Sequence, residues 1–287
     1  MTLPLIFLLL TSFLAACSPA PGAPLGQTAP KKPLLRLGYY VPEDPASLSS
    51  LRQRAGDLDY VGLHWATIRA DGSIEMRTNP EVIRLVRSLG AKSLLSVMLN
   101  GGAETARVLL ASDQSRSEAV ESLLRAAADY DGISIDFEGM PSEEREPFTH
   151  FMAQLALRFR SAGKIVTAAI SAKTSDTTTG WAGAHDYRAL EPHADLFILM
   201  SYGFRTAQSS VPGSTAPMSW VEPTLSFALS QIPREKLLLG IPFYGYDWNT
   251  TAGPPGRAMR YPDSAALAAQ MGARMEYDPV QQAAHFS

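Results

Sequence analysis

The sequence predicts an α/β fold of the (β/α)8 TIM-barrel type, and three observations support this. Residues 34 to 287 approach the roughly 250 residues typical of such barrels. Apolar runs alternate with amphipathic stretches along this region, which is typical of parallel strands covered by helices. One apolar run also ends in acidic residues, and barrels carry their functional groups at the carboxyl ends of strands.

The composition narrows the class of protein. The chain has 287 residues, 46% of them hydrophobic, and a formal net charge of −3, which suits a globular domain and offers no basic surface for nucleic acid. Cys17 is the only cysteine, so an intrachain disulfide is excluded. The five histidines show no spacing typical of metal ligands. We therefore expect neither a metal nor another cofactor.

The amino-terminal segment is predicted to direct the chain out of the cytoplasm. Residues 1 to 16 carry no charge and contain an apolar run too short to span a bilayer of roughly 30 Å, which indicates a signal peptide. The sequence Leu-Ala-Ala-Cys ending at Cys17 resembles the lipobox of bacterial lipoproteins, although a plain cleaved signal would also fit. Residues 17 to 33 are rich in proline and indicate an extended tether. We expect a lipid-anchored domain of the cell envelope.

The domain over residues 34 to 287 divides into alternating predicted elements. Seven strands are predicted, at residues 34 to 41, 60 to 68, 92 to 99, 131 to 138, 164 to 171, 195 to 202 and 236 to 244. Five helices are predicted, at residues 47 to 55, 80 to 89, 115 to 129, 142 to 162 and 220 to 231. Pro80 after Asn79 is typical of a helix start. The barrel pattern thus ends after a seventh strand, its eighth unit missing or misread, and residues 249 to 287 are predicted as a loop or insertion region.

The strand predicted at residues 131 to 138 carries the strongest functional signal. Apolar and polar side chains alternate along it, so that Ser134, Asp136 and Glu138 share one face. An ordinary half-exposed strand gives the same alternation. Here, however, the polar face ends in two acids whose Cα atoms lie roughly 6 to 7 Å apart. Paired carboxylates in this position favour acid–base chemistry.

At this strand the sequence resembles the motif Asp-x-x-Asp-x-Asp-x-Glu of glycoside hydrolase family 18, the chitinase-like barrels. Asp131, Asp136 and Glu138 match it, and Ser134 stands where the motif has its second Asp. The resemblance implies a substrate-assisted retaining mechanism, in which the 2-acetamido oxygen of the sugar attacks the anomeric carbon. Glu138 would be the general acid and then the general base, and Asp136 would hold the acetamido N–H.

Two further segments extend the resemblance. Residues 199 to 202 are similar to the family's Met-x-Tyr-Asp strand end, with Gly203 where the Asp would be, and residues 240 to 248 are similar to its Gly-x-Pro-x-Tyr-Gly strand. Together these segments resemble the spore-cortex-lytic, peptidoglycan-active N-acetylglucosaminidase branch. Tyr202 would then hydrogen-bond the acetamido carbonyl as a third catalytic residue, with Met200 packed beside it.

Other side chains are candidates for contacts with the substrate. Aromatic rings can support the apolar faces of pyranose sugars. The predicted substrate-contacting residues are Asp131, Ser134, Met200, Tyr39, Tyr244 and Trp248. Trp181 lies in a predicted loop and is a further candidate.

Two functions remain open. The first is a glycosidase that cleaves β-linked N-acetylglucosamine in peptidoglycan or chitin-like glycans. The second is a non-catalytic, lectin-like glycan-binding lipoprotein on the same fold, which the Ser at 134 and the Gly at 203 favour. Glu138, the acid that hydrolysis requires, is present and favours the enzyme.

Overall fold

The computed structural model describes residues 34–287. The predicted signal peptide, Cys17 and the tether therefore lie outside the described residues. The strands are β1 (Leu37–Tyr40), β2 (Tyr60–Ile68), β3 (Ile74–Met76), β4 (Lys92–Leu99), β5 (Gly132–Asp136), β6 (Ile165–Ser171), β7 (Leu196–Met200), β8 (Leu237–Leu239), β9 (Tyr244–Asp247), β10 (Arg257–Arg260), β11 (Glu276–Asp278) and β12 (Ala283–His285). The helices are α1 (Pro45–Arg54), α2 (Pro80–Ser88), α3 (Ala103–Leu109), α4 (Asp113–Ala126), α5 (Arg145–Ser161), α6 (Tyr187–Leu190), α7 (Met218–Leu229) and α8 (Tyr261–Gln270).

Seven parallel strands form the central sheet, in the order β1-β2-β4-β5-β6-β7-β8, with β3 antiparallel to β2. The sheet is curled, as shown by the inward side chains of β1, β4, β7 and β8, which meet in one apolar cluster. This cluster comprises Leu37, Tyr39, Leu94, Leu196, Ile198 and Leu238. The α/β fold with a curled parallel sheet confirms the predicted fold class, and the seven parallel strands of residues 34–287 match the seven predicted.

The helices cover the outer face of the sheet and form the larger core. The ring of Phe137, which follows β5, stacks on Phe151 of α5 with centroids 5.5 Å apart. Phe148 of α5 lies 6.1 Å from the same ring. These aromatic side chains fix the end of β5 against the helix, and so fix the direction of the carboxylates beside them.

The structure adds β3, α3 and α6 to the predicted elements, and it differs from the prediction most after residue 239. The predicted strand at 236–244 ends at Leu239, and the chain after Phe243 forms β9, which pairs with β10 rather than with the central sheet. The predicted loop over 249–287 contains β10, α8 and the β11/β12 hairpin. The prolines and glycines of these segments hid their short strands from an analysis of periodicity. Among residues 34–287, no helix combines the length and the apolar character needed to cross a membrane.

Candidate active site

The carboxyl end of β5 presents two acids to the inside of the curled sheet. Ser134 and Asp136 point inward, while Ile133, Ile135 and Phe137 are buried in the core outside. Glu138 follows two residues after Asp136, on the same side of the extended chain, at a Cα separation of roughly 6 to 7 Å. The register places Asp136 opposite Met98 of β4, so the acids lie at the carboxyl edge of the sheet.

The environment of these acids favours their protonated forms. Burial, and next the charge of Glu138, raise the pKa of Asp136 to about 8. Its Oδ1 atom is inaccessible and accepts no hydrogen bond from residues 34–287. Glu138 keeps an accessible edge, yet the surrounding walls displace enough water that burial raises its pKa as well. A carboxyl whose pKa is raised keeps its proton to a higher pH than usual, which favours acid catalysis.

Tyr39 and Ser134 meet beneath this pair. The Tyr39 hydroxyl lies 3.4 Å from Ser134 Oγ. The ring fits because Gly62 has no side chain, since a Cβ there would lie 2.6 Å from the ring. Burial, followed by the charge of Asp136, raises the pKa of Tyr39 well above its ordinary value. Tyr39 therefore keeps its proton and can donate a hydrogen bond.

Tyr202 closes the site from β7. Burial and then the charge of Asp136 raise its pKa well above the ordinary value, which places the hydroxyl within the field of the acids. The Tyr244 ring meets the Tyr202 ring edge-on at 6.3 Å. Burial raises the pKa of Tyr244 to about 12, so both hydroxyls stay protonated. Met200 ends β7, buried next to Ser171 in the register.

Gly240 allows Tyr202 to take this position, and replacing it should disable the site. A Cβ at residue 240 would lie 2.7 Å from the Leu199 carbonyl oxygen and 2.8 Å from Tyr202 Cε1. Because backbone cannot yield as a flexible side chain does, we expect Gly240→Ala to displace Tyr202 and to destabilise β8 by roughly 1 to 3 kcal/mol. Hydrolysis of a chitooligosaccharide and the thermal midpoint measure both effects.

Gly245→Ala is the matched control, because a Cβ at residue 245 would meet no atom within 4 Å. This variant should keep parental activity and stability. Equal behaviour of the two variants would contradict the packing role of Gly240.

A line of aromatic rings leads away from the acids. The Tyr246 ring contacts Tyr244 at 5.8 Å and Trp248 at 5.5 Å. Trp248 is half-buried and packs on Gly256, where a Cβ would lie 2.7 Å from the indole. The structure thus joins Tyr244 and Trp248 through Tyr246, which the sequence analysis did not select. Trp181 lies in the loop after β6 and is 53% exposed.

Asp131 lies away from these groups, at the opposite end of β5. Its Oδ2 accepts hydrogen bonds from the backbone N–H and the hydroxyl of Ser93, at 2.8 and 2.7 Å. Arg87 approaches the same oxygen at 3.6 Å. At about 3.3 Å per residue, Asp131 is about 16 Å from Asp136. The predicted substrate contact is replaced by a structural role that ties β5 to β4.

Two polar groups at the site escaped the sequence analysis. His64 of β2 points inward, with Nδ1 3.2 Å from Ser96 Oγ and its ring edge-on to Tyr39 at 6.0 Å. Burial lowers the pKa of His64. Thr215 Oγ1 accepts a hydrogen bond from Gly203 N–H at 3.2 Å. Alternation along β2 could have indicated the inward His64, whereas Thr215 lies in an irregular loop without such a pattern.

The loop that follows β6 is held by an ionic cluster in which the cations are largely buried and Asp176 is exposed. Arg145 Nη2 lies 2.7 Å from Asp176 and 2.8 Å from Asp186. Lys173 Nζ donates to the His185 carbonyl at 2.6 Å. His185 is 1% exposed, and neither of its ring nitrogens has a hydrogen-bond partner among residues 34–287.

His185 should make the protein sensitive to acid. Burial, and then the charges of Lys173 and Arg145, lower its pKa to about 3. The pKa of this histidine in the unfolded chain is near 6.5. Below that pH the unfolded chain binds a proton at residue 185, whereas the folded chain does not. Stability is therefore lost between about pH 6.5 and pH 3, at about 1.4 kcal/mol per pH unit. We expect His185→Leu to flatten this part of a plot of unfolding free energy against pH.

His150→Leu is the matched control, because the His150 side chain is 56% exposed. It should follow the parental pH dependence. If the unfolding free energy of His185→Leu fell with decreasing pH as steeply as that of the parent, groups other than His185 would cause the loss of stability.

Among residues 34–287, no group of three His, Cys, Asp or Glu side chains is arranged to hold a metal ion. The functional groups described above are carboxyls and phenols. Such groups can protonate a leaving oxygen and hold an amide substituent.

Comparisons with known proteins agree with this geometry. The model of the family "Glycosyl hydrolases family 18" matches residues 36–287. The cortical fragment-lytic enzyme of Bacillus subtilis (strain 168) is 27% identical in an alignment over 273 residues that covers 90% of this chain and 63% of that protein. A crystal structure of a chitinase from Chromobacterium violaceum ATCC 12472 aligns with a TM-score of 0.80 and 27% identity, over 87% of this chain and 80% of that one.

The spore cortex-lytic enzyme SleL of Bacillus cereus shares the fold, with a TM-score of 0.79 at 24% identity. That alignment covers 87% of this chain and 61% of the SleL chain. The chain thus spans less than two thirds of the length of both cortex-lytic relatives.

Proposed function

Because the chain belongs to family 18 of the glycosyl hydrolases, we propose that it hydrolyses β-linked N-acetylglucosamine in peptidoglycan or chitin-like glycans. The observation that carries this proposal is the pair of Asp136 and Glu138 at the carboxyl end of β5, where burial raises the pKa of both acids. The named relatives, a cortical fragment-lytic enzyme and a chitinase, support the same chemistry. These relatives are named as enzymes, and they give no support to the alternative of binding without turnover.

Substrate assistance explains how two acids on one strand can serve a retaining reaction. A carboxylate nucleophile would have to stand across the sugar ring from the acid, and Asp136 and Glu138 project from the same strand in the same direction. The 2-acetamido oxygen of the substrate therefore attacks the anomeric carbon, while Glu138 protonates the leaving oxygen. Glu138 then accepts a proton from the water that opens the oxazolinium ion.

The other side chains hold the acetamido group. Asp136, which is partly accessible at the carboxyl end of β5, would accept a hydrogen bond from the acetamido N–H. Tyr202 donates to the acetamido oxygen, which keeps that oxygen aimed at the anomeric carbon. Burial raises the pKa of Tyr202, so it remains a donor throughout the pH range of the reaction.

The test is release of reducing ends from purified peptidoglycan and from N-acetylchitooligosaccharides. Retention of the anomeric configuration, followed by NMR, is expected. De-N-acetylated oligosaccharides should react at least roughly 10²-fold more slowly, because they lack the internal nucleophile. Equal rates on acetylated and de-acetylated substrates would refute substrate assistance, and absence of hydrolysis by a folded protein would refute the enzyme.

The cellular location is a separate part of the proposal. Residues 1 to 16 would act as a signal peptide, and Cys17 would carry the lipid that anchors the domain to a membrane, outside the cytoplasm. The apolar run and the Leu-Ala-Ala-Cys sequence support it. Membrane fractions should contain the full chain and lose it in Cys17→Ser, and a Cys17→Ser protein that stays membrane-bound would contradict the anchor.

A further inference from the structure

The loop that follows β7 carries an exposed aromatic ring and a cation, both within three residues of Tyr202 in the sequence. Phe204 is two residues from Tyr202 and is 46% exposed. Its ring packs against Trp220 of α7, with centroids 5.8 Å apart. The Arg205 guanidinium lies over the same ring, with its central carbon 5.2 Å from the centroid. We call Phe204, Arg205 and Trp220 the β7 platform.

The side chain of Arg205 is held in place without being neutralised. Its stem passes over Gly213, where a Cβ would lie 3.4 Å from Cγ. A guanidinium stacked on an aromatic ring keeps its N–H edges free for an anion. Within residues 34–287, no carboxylate lies within ion-pair distance of Arg205.

Residue 203, where the Met-x-Tyr-Asp pattern has an acid close to Arg205 in the sequence, is not acidic in this chain. Residue 203 is glycine, and a Cβ there would meet no atom within 4 Å, so the space beside Tyr202 is open. An acid at this position, as in the Met-x-Tyr-Asp pattern, would partly neutralise Arg205 and repel an anionic ligand. The wall of the site after β7 therefore combines room, an apolar face and an unopposed positive charge.

These properties fit one class of sugar. Chitin oligomers are uncharged, whereas in peptidoglycan each N-acetylglucosamine is linked to muramoyl sugars whose O3 carries a lactyl ether. The carboxyl group of that ether is a free carboxylate wherever no stem peptide is attached to it. A pyranose can lie on an apolar ring, and arginine binds a carboxylate through two parallel hydrogen bonds. We propose that the β7 platform recognises the lactyl carboxylate of the muramoyl sugar next to the reacting N-acetylglucosamine. This inference rests on the proposed function and assigns peptidoglycan strands that lack stem peptides as its substrate.

The experiment compares kcat/KM of the parent, Arg205→Gln and Arg205→Lys on three substrates. The first is glycan strands freed of stem peptides, which bear lactyl carboxylates; the second is the same strands with those carboxyls converted to methylamides; the third is N-acetylchitohexaose. Loss of a charge-assisted hydrogen bond should lower kcat/KM of Arg205→Gln about 10-fold on the first substrate, and less than about twofold on the others. Arg205→Lys should recover part of the loss.

The matched control is Arg84→Gln, which removes the same charge from an exposed position on α2. It should match the parent on all three substrates. If Arg205→Gln lowered kcat/KM equally on all three substrates, or on none of them, the assignment would be overturned. A parent that cleaves the methylamide strands as fast as the carboxylate strands would also overturn it, even if the general hydrolase function stands. Failure of the parent on every substrate would instead refute the proposed function.

Discussion

Glu138→Gln is expected to reduce hydrolysis by at least about 10³-fold, because glutamine cannot deliver the proton that the leaving oxygen needs. The substitution preserves shape, and the Glu138 side chain keeps an accessible edge, so we expect no loss of folding. The rate of reducing-end release from N-acetylchitooligosaccharides measures the effect. Circular dichroism and the thermal midpoint establish that the variant is folded.

The control for Glu138→Gln is Glu143→Gln, which makes the same chemical change at an exposed acid five residues further on. That variant should retain parental turnover. Substrate binding by Glu138→Gln should persist, since the aromatic contacts remain, so a bound but uncut oligosaccharide is the expected state. Near-parental turnover in Glu138→Gln would remove Glu138 from the mechanism.

The β5 motif was predictable because its alternation and its acids are local properties of the chain. Asp136, Glu138 and Ser134 lie where the period of a strand places them, and Tyr202 follows β7 as expected. Asp131 shows the limit of that reasoning. A sequence motif gives the order of acids along a strand, but the two ends of one strand face opposite ends of a barrel.

The missed contacts depend on residues far apart in the sequence. Periodicity does not reveal that His64 faces Ser96, or that the Tyr202 ring needs the empty position at Gly240. These relations arise from the curl of the sheet, which brings inward side chains of several strands to one axis. The β7 platform likewise depends on a loop that turns Phe204 toward Trp220. Contacts of this kind are set by the three-dimensional fold and leave no local pattern in the sequence.

Asp136→Asn is expected to lower kcat by roughly 10² to 10³-fold, as losing one well-placed polar group of a preorganised site does. Asparagine can accept a hydrogen bond from the acetamido N–H, but it cannot place negative charge beside the oxazolinium ion.

The pH dependence of kcat in Asp136→Asn should change as well. In the parent, activity should fall on the alkaline side of neutral pH, because burial raises the pKa of both carboxyls and the acid must keep its proton to act. Without a charged neighbour the pKa of Glu138 drops, so this limb should move to lower pH.

Asp131→Asn makes the same substitution at the other end of the same strand and separates catalysis from stability. Asp131 accepts two hydrogen bonds from Ser93 and lies near Arg87, so its loss should lower the thermal midpoint. Because it is about 16 Å from Asp136, kcat and the pH profile should remain parental. The fall of activity at high pH could also shift equally in Asp136→Asn and Asp131→Asn. The pKa of Glu138 would then depend on the net charge of the strand and not on Asp136 in particular. A shift confined to Asp136→Asn would show that the two carboxyls share one proton, which is the property that makes Glu138 an acid at neutral pH.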